Sequence, residues 1–183
     1  MNVLEKRPTS KGPAEWFTGD VWFDVIYAGT EPSRMRVNIV RFAPCSRTAW
    51  HRHATGQTLH VTEGIGLVQS RGGQIVVMRP GDTVHTPPGE WHWHGAAPDH
   101  FMAHLAMWEG TGEAGTPETE WGEQVTDEEY RARCRPGTGC RGRPGPGRTG
   151  EAVPAGPLRP RWECGQPAQR PPRRSWGRPR RSG

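Results

Sequence analysis

Two short stretches decide the reading of this chain: His51-Arg52-His53-Ala54-Thr55-Gly56-Gln57 and Trp91-His92-Trp93-His94-Gly95. In each, histidines alternate with other residues. On a β-strand, side chains two apart share a face, so His51 and His53 stand side by side, roughly 6–7 Å apart at the backbone. Two imidazoles so placed can converge on one metal ion, but a solvated strand would accept the pair equally well. Gly56 lets the chain bend. Gln57 then shares a face with Leu59 and Val61, while His60 points the other way. His92 and His94 also share a face, with Trp91 and Trp93 opposite. All eight histidines fall between positions 51 and 104, a clustering that suggests a site.

The surroundings read as strands. Apolar or alternating runs cover 21–27, 35–42, 48–53, 57–62, 66–69, 75–78, 83–86, 91–96 and 101–108. Turn chemistry separates them, as in Arg71-Gly72-Gly73-Gln74, Arg79-Pro80-Gly81-Asp82 and Pro87-Pro88-Gly89. Many short strands without alternating helices predict an all-β antiparallel sandwich or barrel. In the last run, His100, Met102, His104, Ala106 and Trp108 form one face. Phe101, Ala103, Leu105 and Met107 form the other, which reads as an apolar packing face. His104 is then either a core histidine or one that reaches into a cavity. Thr126-Asp127-Glu128-Glu129 is a capping box and predicts one short C-terminal helix.

Farther out, the composition changes. Residues 1–130 hold 10 Lys+Arg against 17 Asp+Glu, a net charge of −7, whereas residues 131–183 hold 14 Arg, no Lys and 2 Glu, a net of +12. The formal +5 of the whole chain therefore says little about the partners of the first part. Residues 132–183 are rich in Arg, Pro and Gly and poor in apolar side chains, so they are expected to be a disordered, low-complexity basic tail. Arg, Pro, Gly and Ala share GC-rich codons. A shifted reading frame in GC-rich DNA would give this composition, and an incidental tail is the preferred reading. The functional alternative is an Arg-rich arm that binds nucleic acid non-specifically. No run approaches the ~18 apolar residues of a membrane span. No apolar stretch follows Glu5, Lys6 and Arg7, so no signal peptide is expected. Cys45 is alone in the first part, cannot staple it, and fits a reducing, cytoplasmic setting.

The spacings then resemble a family. The first cluster runs Cys45, five residues, His51-Arg52-His53, three residues, Gln57, six residues, Gly64. The second runs Gly81, five residues, Pro87-Pro88-Gly89, two residues, His92, three residues, Ala96. This is similar to the paired motifs of the cupin superfamily, with Cys45 for the opening Gly, Gln57 for the usual Glu and Ala96 for the closing Asn. Further stretches, among them residues 11–19, Arg47-Thr48-Ala49-Trp50-His51, Gly56-Gln57-Thr58-Leu59 and His104-Leu105-Ala106, resemble small bacterial cupins that include manganese-dependent hydroxynitrile lyases. The resemblance implies a single-domain cupin, a jelly-roll β-sandwich, over residues 1–131. It implies metal ligands His51, His53, Gln57 and His92 and further active-site histidines His94 and His104. It also implies a homodimer or homotetramer acting on a small-molecule substrate.

Three imidazoles and a neutral amide leave the full charge on a divalent ion, where a Glu ligand would cancel part of it. Such a donor set suits Mn, Fe, Ni, Co or Zn, and the resemblance implies Mn(2+) first. The expected activity is a hydroxynitrile-lyase-type C–C lyase, with His94 and His104 dividing the proton transfers. A dioxygenase of the same fold, or a cupin that only binds a ligand or metal, are the alternatives.

Overall fold

The computed structural model describes residues 1–132, so the reading of residues 133–183 as a tail falls outside what it describes. Thirteen strands and one helix are formed among the described residues: β1 (Ser10–Lys11), β2 (Phe17–Thr18), β3 (Val21–Tyr27), β4 (Met35–Phe42), β5 (Arg47–Thr48), β6 (His51–His53), β7 (Gln57–Gly64), β8 (Gly66–Ser70), β9 (Val76–Met78), β10 (Thr83–Thr86), β11 (His92–Ala96), β12 (Met102–Glu109), β13 (Thr119–Trp121) and α1 (Asp127–Arg131). They build two antiparallel sheets. One has the order β1-β3-β4-β12-β7-β10. The other is centred on β11, with β8 and then β9 along one edge and β5 and β6 in tandem along the other. β2 and β13 extend β5 and β6. Inward-facing Val40, Phe42, Leu59, Val61, Val68 and Met102 belong to the main core. Among the described residues, no helix is long and apolar enough to cross a membrane.

The continuous strand expected over 48–53 is broken. Ala49 and Trp50 leave the ladder: the Ala49 amide donates to the Trp16 carbonyl (2.7 Å) and the Trp50 amide to the Glu123 carbonyl (2.9 Å). Trp50 packs instead with Leu67, Trp93, Val125 and Tyr130 in a second core. The break changes the parity of the strand. Thr48 and His51, which strict alternation would put on opposite faces, both line the same cavity.

All five residues of β11 are buried, because both of its faces are covered. Trp93, opposite the histidines, sits in the second core under α1. There the Tyr130 hydroxyl donates to the Ala96 carbonyl (2.6 Å). The Thr126 capping box forms as the sequence predicts. Arg47 ties this layer down. Its Nε and Nη2 donate to the Val125 carbonyl (3.0 and 2.8 Å), Nη2 also meets Asp127 Oδ1 (2.7 Å), and the guanidinium lies 4.8 Å from the Tyr130 ring centre. A buried guanidinium needs these partners, since an uncompensated charge there costs several kcal/mol.

One expectation needs correction. The Phe101/Ala103/Leu105/Met107 face of β12 is the outer face of its sheet: Phe101 is exposed and Leu105 and Met107 are only half-buried. The histidine-bearing face is the one that packs inward. Cys45 lies in the turn before β5, with its Sγ 3.5 Å from the Pro98 carbonyl oxygen. Its φ of +67° is left-handed, which accounts for the Gly that the family motif has at this place.

Gly95 is where β5 and β11 approach most closely. A Cβ there would stand 2.4 Å from the Ser46 carbonyl oxygen and 2.6 Å from Arg47 Cβ. Gly95→Ala is therefore expected to cost about 1–3 kcal/mol through overpacking. The measurement is the urea midpoint of unfolding, and an unchanged midpoint would show that β5 can retreat freely.

Candidate metal centre and its cavity

The short strand β6 places His51 and His53 on one face and turns Arg52 outward to Glu120 (2.6 Å). β11 brings His92 opposite His51. β7 begins with Gln57 immediately after Gly56, whose φ is +82° and whose missing Cβ would lie 2.7 Å from the Thr86 carbonyl oxygen. The ligand nitrogens of His51, His53 and His92 lie within 4.8 Å of one another. Gln57 Oε1 lies 2.9 Å from His92 Nε2.

Each of the three rings is held by its Nδ1. His51 faces the Ala49 carbonyl (3.0 Å), His92 the Glu90 carbonyl (3.1 Å) and His53 the Thr119 hydroxyl (3.1 Å). The two carbonyls come from irregular residues just upstream of each strand. Burial lowers the pKa of all three rings, that of His53 to about 3, so they are neutral at physiological pH. A neutral imidazole donates from one nitrogen only. With Nδ1–H given to a carbonyl, Nε2 of His51 and His92 presents a lone pair inward. His53 Nε2 is buried without a partner. At His92 the lone pairs of Nε2 and Gln57 Oε1 face each other, an arrangement that a shared cation satisfies. Three tethered imidazoles and an amide oxygen are thus compatible with a divalent transition metal.

His94 shares the inward face of β11 with His92. Its ring stands 5.2 Å from His51 and 4.9 Å from His104, nearly perpendicular to both. Its Nδ1 is buried with no partner, and its backbone amide donates to Thr48 Oγ1 (3.1 Å). His104 comes from the opposite sheet, on β12, and stacks on Phe42 at 5.6 Å. Both of its ring nitrogens lack partners among the described residues. Burial pushes its pKa down to about 4 and that of His94 well below the usual histidine range, so both rings are neutral. His60, His85 and His100 lie apart: the first two pair with Thr83 and Thr58, and the third with Asp99.

His51, His53, His94 and Gln57 open onto a cavity of about 400 Å³. Its walls are largely aromatic, from Trp16, Phe17, Phe23, Trp108 and Trp121. Trp16 and Trp121 stack in parallel with ring centres 5.1 Å apart, and Trp121 also stacks on His51 at 4.8 Å. Trp108 lies 5.3 Å from His53, and its Nε1 donates to Glu118 Oε2 (3.1 Å). Arg36 grips both oxygens of Glu118 (2.6 and 3.1 Å) and holds that carboxyl below its usual pKa. Sequence reasoning missed Trp16, Glu118, Thr119 and Trp121, which stand in no histidine-centred spacing. The alternation in Thr119-Glu120-Trp121 was the one available signal for β13.

Comparison with known proteins agrees with this architecture. The cupin domain family model matches residues 38–108. A curated protein of Granulicella tundricola named (R)-mandelonitrile lyase is 48% identical over 126 residues, covering 68% of this chain and 93% of its own. The crystal structure of a cupin-like protein from Thermotoga maritima matches with a TM-score of 0.62 and 38% identity, over 72% of this chain and 96% of that one. The polyketide cyclase RemF of Streptomyces resistomycificus, at 17% identity and a TM-score of 0.51 over 71% and 90% of the two chains, shares the fold alone. Motif spacing, paired sheets and a relative matched over nearly its whole length agree that this chain belongs to the cupin family.

Proposed function

We propose that this cupin is a metal-dependent carbon–carbon lyase of the hydroxynitrile lyase type, splitting a cyanohydrin into a carbonyl compound and hydrogen cyanide. The observation that carries the reading is the placement of His94. An unpartnered neutral imidazole stands at the cavity wall beside three imidazoles whose inward nitrogens converge. The name of the Granulicella tundricola relative points to the same reaction class.

His51, His53 and His92 through Nε2, and Gln57 through Oε1, would hold a divalent ion, for which we favour manganese. Bound there, the ion supplies positive charge that stabilises the substrate oxygen as the C–C bond breaks. Gln57 is neutral and cancels none of that charge, as a carboxylate would. His94 accepts the hydroxyl proton through Nε2, the ring nitrogen that is not sealed from the cavity. The electron pair of the C–C bond leaves with cyanide, the carbonyl forms, and the resulting imidazolium returns a proton to cyanide. His104, packed edge-to-face against His94 with ring centres 4.9 Å apart, shares the proton work. The stacked Trp16 and Trp121 and their aromatic neighbours suit a flat substrate.

Three outcomes are expected. Replacing His51 and His53 together with Ala should abolish stoichiometric metal, read by elemental analysis of purified protein; unchanged content would remove the ligand assignment. Purified full-length protein should release hydrogen cyanide from mandelonitrile equally well with and without dioxygen, and a chelator should stop it. A strict oxygen requirement would instead favour a dioxygenase. Finally, His94→Ala and His104→Ala should each keep metal near the wild-type level while lowering turnover by ~100-fold or more. Normal turnover in both variants would leave these rings a purely structural role.

A further inference from the structure

One polar side chain in the cavity wall remains unaccounted for. Asn38 interrupts the run Val37-Asn38-Ile39-Val40 on β4, a strand paired on both sides, and it faces inward. Asn is disfavoured in such strands, and an uncompensated polar group facing an apolar wall is costly. Its amide has no hydrogen-bond partner among the described residues, and it lines the cavity. The other hydroxyl and carboxamide groups of the lining are engaged: Thr48 accepts the His94 amide, Thr119 meets His53, and Gln57 meets His92.

The neighbours of Asn38 indicate which part of a ligand it meets. The residue opposite it on β12 is Ala106, too small to cover the amide. Val40 on β4 and Phe23, its partner on β3, are apolar, and Trp108, two residues beyond Ala106 on β12, leads toward His53. The histidine cluster comes from β6, β7 and β11, and β7 is two strands from β4, roughly 10 Å at 4.7–4.9 Å per strand. Asn38 is thus two strands away from Gln57 and has the apolar side chains Phe23, Val40 and Ala106 around it, which suit a ring. An amide donates and accepts, and a phenolic hydroxyl does both in return. A charged ring substituent has no free counter-charge here, because the Arg36 guanidinium is committed to Glu118.

We propose that Asn38 is a specificity-determining residue that selects an aromatic substrate carrying a ring hydroxyl. This rests on the lyase reading for the reacting end of the substrate, but it concerns only the ring end. It can therefore be tested by binding alone. Isothermal titration of the full chain as purified, below the pKa of the phenols, would compare benzaldehyde, meta-hydroxybenzaldehyde, para-hydroxybenzaldehyde and para-carboxybenzaldehyde.

One hydroxylated isomer is expected to bind about tenfold tighter than benzaldehyde, the upper range for one neutral hydrogen bond, and the carboxylated ring is expected to bind no tighter. In Asn38→Leu the hydroxyl preference should shrink to about twofold or less, and Asn38→Ala supplies the same test if the leucine variant does not fold. Equal affinities in the wild type, a preference that survives either substitution, or tighter binding of the carboxylated ring would overturn the assignment. Loss of cyanide release with the affinity ratio intact would instead retire the lyase reading and leave this one standing.

Discussion

Five imidazoles buried between two sheets are the constraint on which the rest of the site depends. Taken out of water, each is neutral, and a neutral imidazole has one donor and one acceptor to place. The fold places them unequally. His51, His53 and His92 are each fixed at Nδ1 by an oxygen, a flanking backbone carbonyl for His51 and His92 and the Thr119 hydroxyl for His53, which leaves Nε2 turned inward. His94 and His104 keep unpartnered nitrogens and are held by ring packing against Phe42 and each other. Tethered rings suit the fixed geometry of a coordination shell. Packed but unbonded rings suit groups that exchange protons.

The histidine arrangement was legible because it follows from short-range rules. His-x-His on a strand fixes a shared face, and the distance to Gln57 is set by one glycine turn. The approach of β11 to β6 could not be derived from period two, but it follows once the paired motif spacing is read as a family pattern. The strand break at Ala49 and Trp50 was not legible. Their amides bond to Trp16 and Glu123, far away in sequence, and local propensity carries no trace of those partners. The outer face of β12 was misread for a related reason: an apolar alternation shows that a face exists but not which side of the sheet has a second layer over it.

The cavity wall was the least legible part. Trp16 stacks on Trp121 across more than a hundred positions of chain, and neither stands in a histidine spacing. Glu118 likewise stands in no histidine-centred spacing. In the fold it joins Arg36 on β4 to the Trp108 indole on β12 and so holds one wall of the cavity in place. Asn38 was visible as a polar residue within a β-branched run, but its meaning depended on small Ala106 beside it and on the strand order that sets it apart from the histidines.

The layer held by Arg47 has a consequence for how such a chain can vary. Trp93 and Tyr130 lie on the side of the β11 sheet turned away from the cavity, and α1 ends there, at Ala132. Whatever is joined after that residue starts from the back of the molecule, with the width of a sheet between it and the substrate. The carboxyl-terminal junction is thus insulated from the chemistry. Extensions, fusions or wholesale replacement of sequence beyond it can accumulate under little constraint from the site, whereas single changes at Thr119 or Trp121 act directly on the cavity wall.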